Sequence, residues 1–207
     1  MNKMGYYTKH YKVNLSEEKL YYEMFFEHNK KILDIGCATG NFLAIDKKNI
    51  IGVEKDVGSI KIAKSRGLKV IKVDVENKKL PFHDNSFDFV NARHILEHTY
   101  EPLHLLQESR RVLKIGGKLV LTTEDARQMK WKFYDGFEHV KPYTPISLMK
   151  GALDAGFKKY DIFYLPTGFP FLGILYNKKI IDGKTVLNIQ RILGKLIKIQ
   201  LIMIAEK

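Results

Sequence analysis

"ILDIGCATGNF", residues 32–42, joins an apolar run to an acid and then to two glycines separated by three residues. The pattern predicts a buried strand running through a tight turn toward a helix. A dinucleotide-binding loop needs G-x-G-x-x-G, so that backbone can approach a pyrophosphate at a helix N-terminus. Here Cys37, Ala38 and Thr39 separate Gly36 from Gly40, and the second close-approach glycine is missing. A P-loop would continue with Gly-Lys-Ser/Thr, whereas Asn41 and Phe42 follow. The loop is tight, but nothing in it grips phosphate.

Acids at successive strand ends describe a different ligand. Asp34 precedes the loop, and a carboxylate there repels phosphate while attracting an ammonium or sulfonium group. Glu54 ends "IIGVE" 18 residues beyond Gly36, where a ribose diol finds its acceptor. Asp74 ends "KVIKVDV", placed to accept from an adenine amino group. A cationic amino-acid part, a ribose and an adenine, without phosphate, together make S-adenosylmethionine.

The rest of the chain alternates in the same rhythm. Strands are expected at 31–35, 50–54, 68–73, 87–91, 118–123, 160–165 and 200–205, with helices near 16–28, 41–46, 57–66, 101–113 and 145–155. Ser16 with Glu17 and Glu18 suits a helix start, Pro102 a first helical turn, and "IGG" at 115–117 a helix end turning into a strand. The expected fold is α/β, a Rossmann-like doubly wound seven-stranded sheet with an antiparallel last strand in a three-layer sandwich. A single domain of 1–207 is expected, with 1–30 as an N-terminal cap and 166–198 inserted before the final strand. Within that insertion Leu187, Ile189, Ile192, Leu193, Leu196 and Ile197 recur among lysines. This predicts a basic amphipathic helix over 177–198, packed on the sheet or serving as a lid or membrane contact.

The chain resembles the class I S-adenosylmethionine-dependent methyltransferases, in particular the small-molecule group that includes ubiquinone-type and glycan-cluster enzymes. Their first motif, D-x-G-x-G-x-G, corresponds to Asp34-Ile-Gly36-Cys-Ala38-Thr-Gly40, with alanine at the middle glycine. "GVEKD" (52–56) looks like the ribose motif, "VDVENKKLPFHDNSFDFV" (73–90) like the adenine motif, and "RRVLKIGGKLVLTT" (110–123) like the fifth-strand region. "YTPISLMKGALDAGF" (143–157) and "LIMIAEK" (201–207) resemble the last helix and the closing strand. The resemblance implies cofactor contacts from Asp34, Gly36, Cys37, Ala38, Gly40, Glu54, Lys55, Asp74, Val75, Asn91, Ala92 and Arg93. It also implies a transferase of one-carbon groups.

Histidines follow the fourth strand. "HILEH" (94–98) fits the zinc motif H-x-x-E-H, but Thr99-Tyr100-Glu101-Pro102 breaks the helix that motif requires, and no metal is expected. Methyl transfer to a hydroxyl needs a base, for which His94 is the first candidate, with His98 and His139 behind it. Tyr6, Tyr7 and Tyr11 could cover a sulfonium through their ring faces. The aromatic, basic stretch 129–144, with Glu124 and Asp125 before it, is a candidate acceptor wall. Cys37 is expected to contribute backbone rather than thiol chemistry.

Bulk composition constrains the partners. One cysteine excludes an intrachain disulfide, and the apolar stretch 195–204 is far shorter than the roughly 20 residues of a membrane span. The first ten residues lack a secretory signal, so a cytoplasmic location is expected. The expected acceptor is a small molecule, methylated on oxygen. The net charge of +12 keeps two alternatives: an RNA methyltransferase, and a non-catalytic cofactor-binding protein on an anionic membrane through 177–198. Against RNA, "NARH" stands where a base-flipping motif would follow the fourth strand. The oligomeric state is not legible.

Overall fold

The computed structural model describes residues 15–76, 78–166, 170–194 and 200–207. Seven strands form one sheet: β1 (Ile32–Ile35), β2 (Ile50–Glu54), β3 (Val70–Lys72), β4 (Phe87–Arg93), β5 (Leu113–Glu124), β6 (Lys159–Leu165) and β7 (Gln200–Glu206). Their order is β3-β2-β1-β4-β5-β7-β6. The first five are parallel, and β7 runs antiparallel to both β5 and β6. The order reverses between β1 and β4, so the carboxyl ends of these two strands form the switch-point crevice where such sheets bind ligands.

Helices cover both faces because the central strands are buried on both sides, β1 along its whole length. On one face α3 (Pro102–Val112) and α5 (Pro145–Asp154) pack Leu105, Leu106, Leu148 and Ala152 against Leu33, Val90 and Leu121. On the other, α1 (Leu15–Phe25), α2 (Val57–Ser65), α6 (Pro170–Asn177) and α7 (Gly183–Gly194) bury Tyr22, Phe25, Ile60, Leu172, Val186 and Leu187 against Ile32, Phe89 and Ile202. A short α4 (Ala126–Met129) follows β5. Three layers result, as expected. Pro102 opens α3 as expected, and two other helix starts are capped by side chains: Asp56 accepts from the Ser59 N–H at α2, and Thr144 and Ser147 form a reciprocal capping box at α5.

Three sequence expectations are corrected. Residues 41–46 form only a 3-10 turn, Phe42–Ile45. Asp46 ends it, its carboxylate accepting the N–H of Lys48 and of Asn49. "IGG" does not end a helix; it lies inside β5, where Gly116 takes φ +75° and the β4 pairing jumps from Leu113 to Lys118 as a bulge. The segment 177–198 is not one helix: α6 ends at Asn177 and α7 begins at Gly183, with Asp182 capping the Thr185 N–H. Helix α7 packs on α1 and β6; Lys184 donates to the Met24 carbonyl, and Arg191 pairs with Asp161 at 2.6 Å while lying over the Phe163 ring. Tyr6, Tyr7, Tyr11, Leu196 and Ile197 lie outside the described residues.

Candidate functional site

The loop after β1 is shaped by left-handed backbone. Gly36 and Gly40 have φ of +71° and +81°, and a Cβ on Gly36 would meet Cδ1 of Ile95 at 2.9 Å. The left-handed angle favours glycine there, and an added methyl would have to push the end of the Ile95 side chain aside. Ala38, at the middle position, also adopts positive φ (45°), a conformation that costs an L-residue roughly 1–2 kcal/mol. The N–H groups of Gly36 and Cys37 both donate to the Val53 carbonyl, tying the loop to β2. Cys37 is buried, and burial pushes its thiol well above the usual range, which suits packing rather than nucleophilic chemistry.

Glu54 organises this loop. One carboxylate oxygen accepts the Ala38 N–H at 2.9 Å; the other accepts the N–H groups of Lys55 and Asp56 at 2.8 and 2.9 Å. The Lys55 side chain itself is exposed. Asp74, just beyond β3, accepts the Glu76 N–H, and Val75 packs against the core beside it. Glu76 in turn accepts the N–H of Tyr100 at 3.0 Å, joining the β3 loop to the segment after β4.

A second polar cluster closes over the ends of β1 and β4. Asp34, 4% exposed, accepts a 2.6 Å hydrogen bond from the Asn91 amide, and the Tyr21 hydroxyl donates to Asn91 Oδ1 at 2.9 Å. Burial raises the Asp34 carboxyl to about 7, with Arg93 and the Asn91 hydrogen bond pulling the other way. Arg93 stacks over Tyr21 and pairs with Glu18 at 2.7 Å. Ala92 is fully buried and lies beside Ile35 in the sheet. Tyr21 and Glu18 come from α1, and no sequence signal linked them to residues some 70 positions away. An alternation argument could have placed Asn91 and Arg93 on the Asp34 face of the sheet, but it could not have supplied their helix partners.

The histidines separate into two kinds. His94 sits at positive φ (49°), which turns its side chain away from the strand. Its Nδ1 faces Glu97 Oε1 at 2.9 Å, and its Nε2 faces the Gln200 amide nitrogen at 2.7 Å. An amide N–H can only donate, so Nε2 is the acceptor and the ring proton sits on Nδ1, toward the carboxylate. Glu97 is 1% exposed and also accepts from the Thr123 hydroxyl. Burial alone would raise its carboxyl, but the His94 and Thr123 contacts outweigh it and lower it. His98 and His139 instead face carbonyls, of Glu138 and Phe133, with their rings 4.9 Å apart. His94 and His98 therefore do not converge on one point, and among the described residues no cluster of His, Cys, Asp or Glu could hold a metal. Asp125 caps α4 and accepts from Tyr164 and Arg127 rather than facing a cavity.

The sequence matches the methyltransferase-domain family over residues 33–121, which spans β1 to β5. An uncharacterised protein of Methanocaldococcus jannaschii is 32% identical over 175 residues, covering 76% of this chain and 82% of that protein. A solved S-adenosylmethionine-dependent methyltransferase of Archaeoglobus fulgidus superposes with a TM-score of 0.69 over 93% of both chains, at 23% identity, a likeness of fold. A demethylmenaquinone methyltransferase of Renibacterium salmoninarum is 33% identical over 95 residues, 44% of this chain and 40% of that enzyme. Residues 33–121 thus carry a methyltransferase domain, and the fold is that of solved S-adenosylmethionine-dependent methyltransferases. The crevice fits that cofactor. Its loop offers close backbone approach without a phosphate-gripping lysine, and a buried acid at Asp34 stands where the ligand would be cationic.

Proposed function

We propose that the chain methylates an oxygen of a small-molecule acceptor, with His94 taking the acceptor's proton. The bound cofactor supplies a methyl group on an activated sulfonium with a neutral leaving group, so the protein's tasks are positioning and proton removal. In this reading Asp34 and Asn91 hold the amino-acid end, Gly36 to Gly40 the backbone cradle, Glu54 the ribose diol and Asp74 with Val75 the adenine. Arg93 orients α1 over the crevice.

The observation that carries the base assignment is the order Glu97, His94, Gln200. The buried carboxylate fixes the proton on Nδ1 and leaves the Nε2 lone pair outward, on the Gln200 amide. An acceptor hydroxyl replacing Gln200 would donate to Nε2, and Glu97 would stabilise the imidazolium that forms. His98 and His139, bonded to carbonyls, shape the neighbouring wall. The demethylmenaquinone relative favours a small organic acceptor over RNA. The experiment is a screen of hydroxylated small molecules and of transfer RNA, with S-adenosylhomocysteine as the readout. Turnover on a hydroxyl compound that falls about 100-fold or more in His94→Ala supports the reading. Turnover confined to RNA, or unaffected by His94→Ala, overturns it.

A further inference from the structure

The segment after β5 carries an unusual surface. Its 3-10 helix, Lys130–Asp135, turns Phe133 fully inward but leaves Trp131 85% and Tyr134 58% exposed, and Phe137 beyond it is completely exposed. Large aromatic side chains standing together in water mark an interaction site. Trp131 and Tyr134, with Ala126, Lys130 and Pro142, border a shallow groove of about 270 Å³. Lys130, which borders the groove, and Lys132 and Lys141 in the same stretch are exposed. The exposed acids within the same stretch are Asp135 and Glu138, and Arg127 is already paired with Asp125.

We propose that this surface docks the protein on an anionic lipid bilayer. Trp and Tyr rings, apolar with one polar edge, suit the boundary between headgroups and acyl chains, and Phe137 supplies an apolar tip. The three lysines face lipid phosphates, and the net charge of +12 draws the whole chain to the same surface. Single-stranded RNA is the poorer fit. The Trp131 and Tyr134 rings lean on one another at 6.3 Å and 41° instead of standing apart as platforms for successive bases. Helix α7, the other basic candidate, commits Lys184 and Arg191 to contacts within the fold. The surface also adjoins the proposed acceptor site. His139 packs on Phe133, and the Val140 N–H donates to the Glu97 carbonyl at 2.8 Å, so an acceptor drawn from the membrane would enter beside His94.

Trp131 is the chain's only tryptophan, so it reports directly on this contact. The test mixes the full chain with phosphatidylglycerol vesicles, with phosphatidylcholine vesicles and with a single-stranded RNA oligomer, following Trp131 emission and vesicle co-sedimentation. The expected result is a blue shift and sedimentation with phosphatidylglycerol, weakened by salt, and little of either with phosphatidylcholine or RNA. A Tyr134→Ala/Phe137→Ala variant keeps the reporter and alters only exposed side chains. It should lower the vesicle partition coefficient about tenfold while leaving S-adenosylmethionine affinity unchanged. Failure of the anionic vesicles to shift or sediment the wild type overturns the proposal. So does a shift produced by RNA alone, or one that follows protein concentration without vesicles and so reports a second copy on the patch. The partitioning readout requires no turnover, so its failure is separate from any failure of the hydroxyl-acceptor reading.

Discussion

The buried carboxylate of Glu97 meets Nδ1 of His94 at 2.9 Å, and its other oxygen accepts the Thr123 hydroxyl from the neighbouring strand at 2.8 Å. The pair couples a half-exposed imidazole to the packed sheet, which fixes both its orientation and its tautomer. Glu97→Gln keeps the shape but removes the charge that stabilises a protonated His94. The expected outcome is a kcat on a hydroxyl acceptor lowered about 10- to 1000-fold with cofactor affinity nearly unchanged. An unaltered kcat would mean that Glu97 serves only the fold.

The buried Asp34 links pH to both stability and cofactor binding. Its carboxyl is raised from 3.8 to about 7 in the folded chain, so the folded state keeps a proton that the unfolded state releases. Its ionisation therefore costs stability. The cost is absent below about pH 4, grows as pH rises and is complete above about pH 7. Asp34→Asn should gain unfolding free energy relative to wild type across that window, measured by urea denaturation at several pH values. A cationic ligand group favours the ionised acid. Cofactor binding near pH 6 should thus release close to one proton in wild type and less in Asp34→Asn, read calorimetrically in buffers of different ionisation enthalpy.

Gly36 and Ala38 share left-handed backbone but should respond oppositely to substitution. Gly36→Ala adds a Cβ at 2.9 Å from Ile95 and at φ +71°, so it should lose about 2 kcal/mol or more and bind the cofactor poorly. Ala38→Gly relieves a φ of 45° at the expense of a looser unfolded chain, for a net gain of up to about 1 kcal/mol. Chemical denaturation measures both. Destabilisation by Ala38→Gly would show that the alanine methyl packs rather than strains.

Much of this molecule was legible in its sequence because its central strands are short and apolar and each ends on an acid or at a turn. "ILDIG" and "IIGVE" specify β1 and β2, and their terminal acids fall at the crevice because parallel strands share a carboxyl edge. The "IGG" bulge was not legible, since glycines after a helix signal an ending as readily as a kink within a strand. The helix partners of Asn91 and Arg93 were also hidden. Tyr21 and Glu18 reach them only through the packing of α1 across the sheet, and no local spacing encodes that docking. For His94, the spacing to Glu97 was visible in "HILEH", but helical periodicity would have paired His94 with His98. The left-handed turn at His94 breaks that periodicity and aims the ring at Gln200, on the strand that closes the sheet.

Cofactor titration of Glu54→Gln beside wild type, by isothermal calorimetry, decides whether the cofactor lies at the carboxyl ends of β1 and β2. Glu54→Gln preserves size but turns one of the oxygens that accept backbone N–H groups and, in this account, the ribose hydroxyls into a donor. Wild type is expected to bind S-adenosylmethionine, and Glu54→Gln to weaken binding at least about tenfold without unfolding the chain. Equal affinity in the two proteins would contradict the placement of the cofactor at the carboxyl ends of β1 and β2.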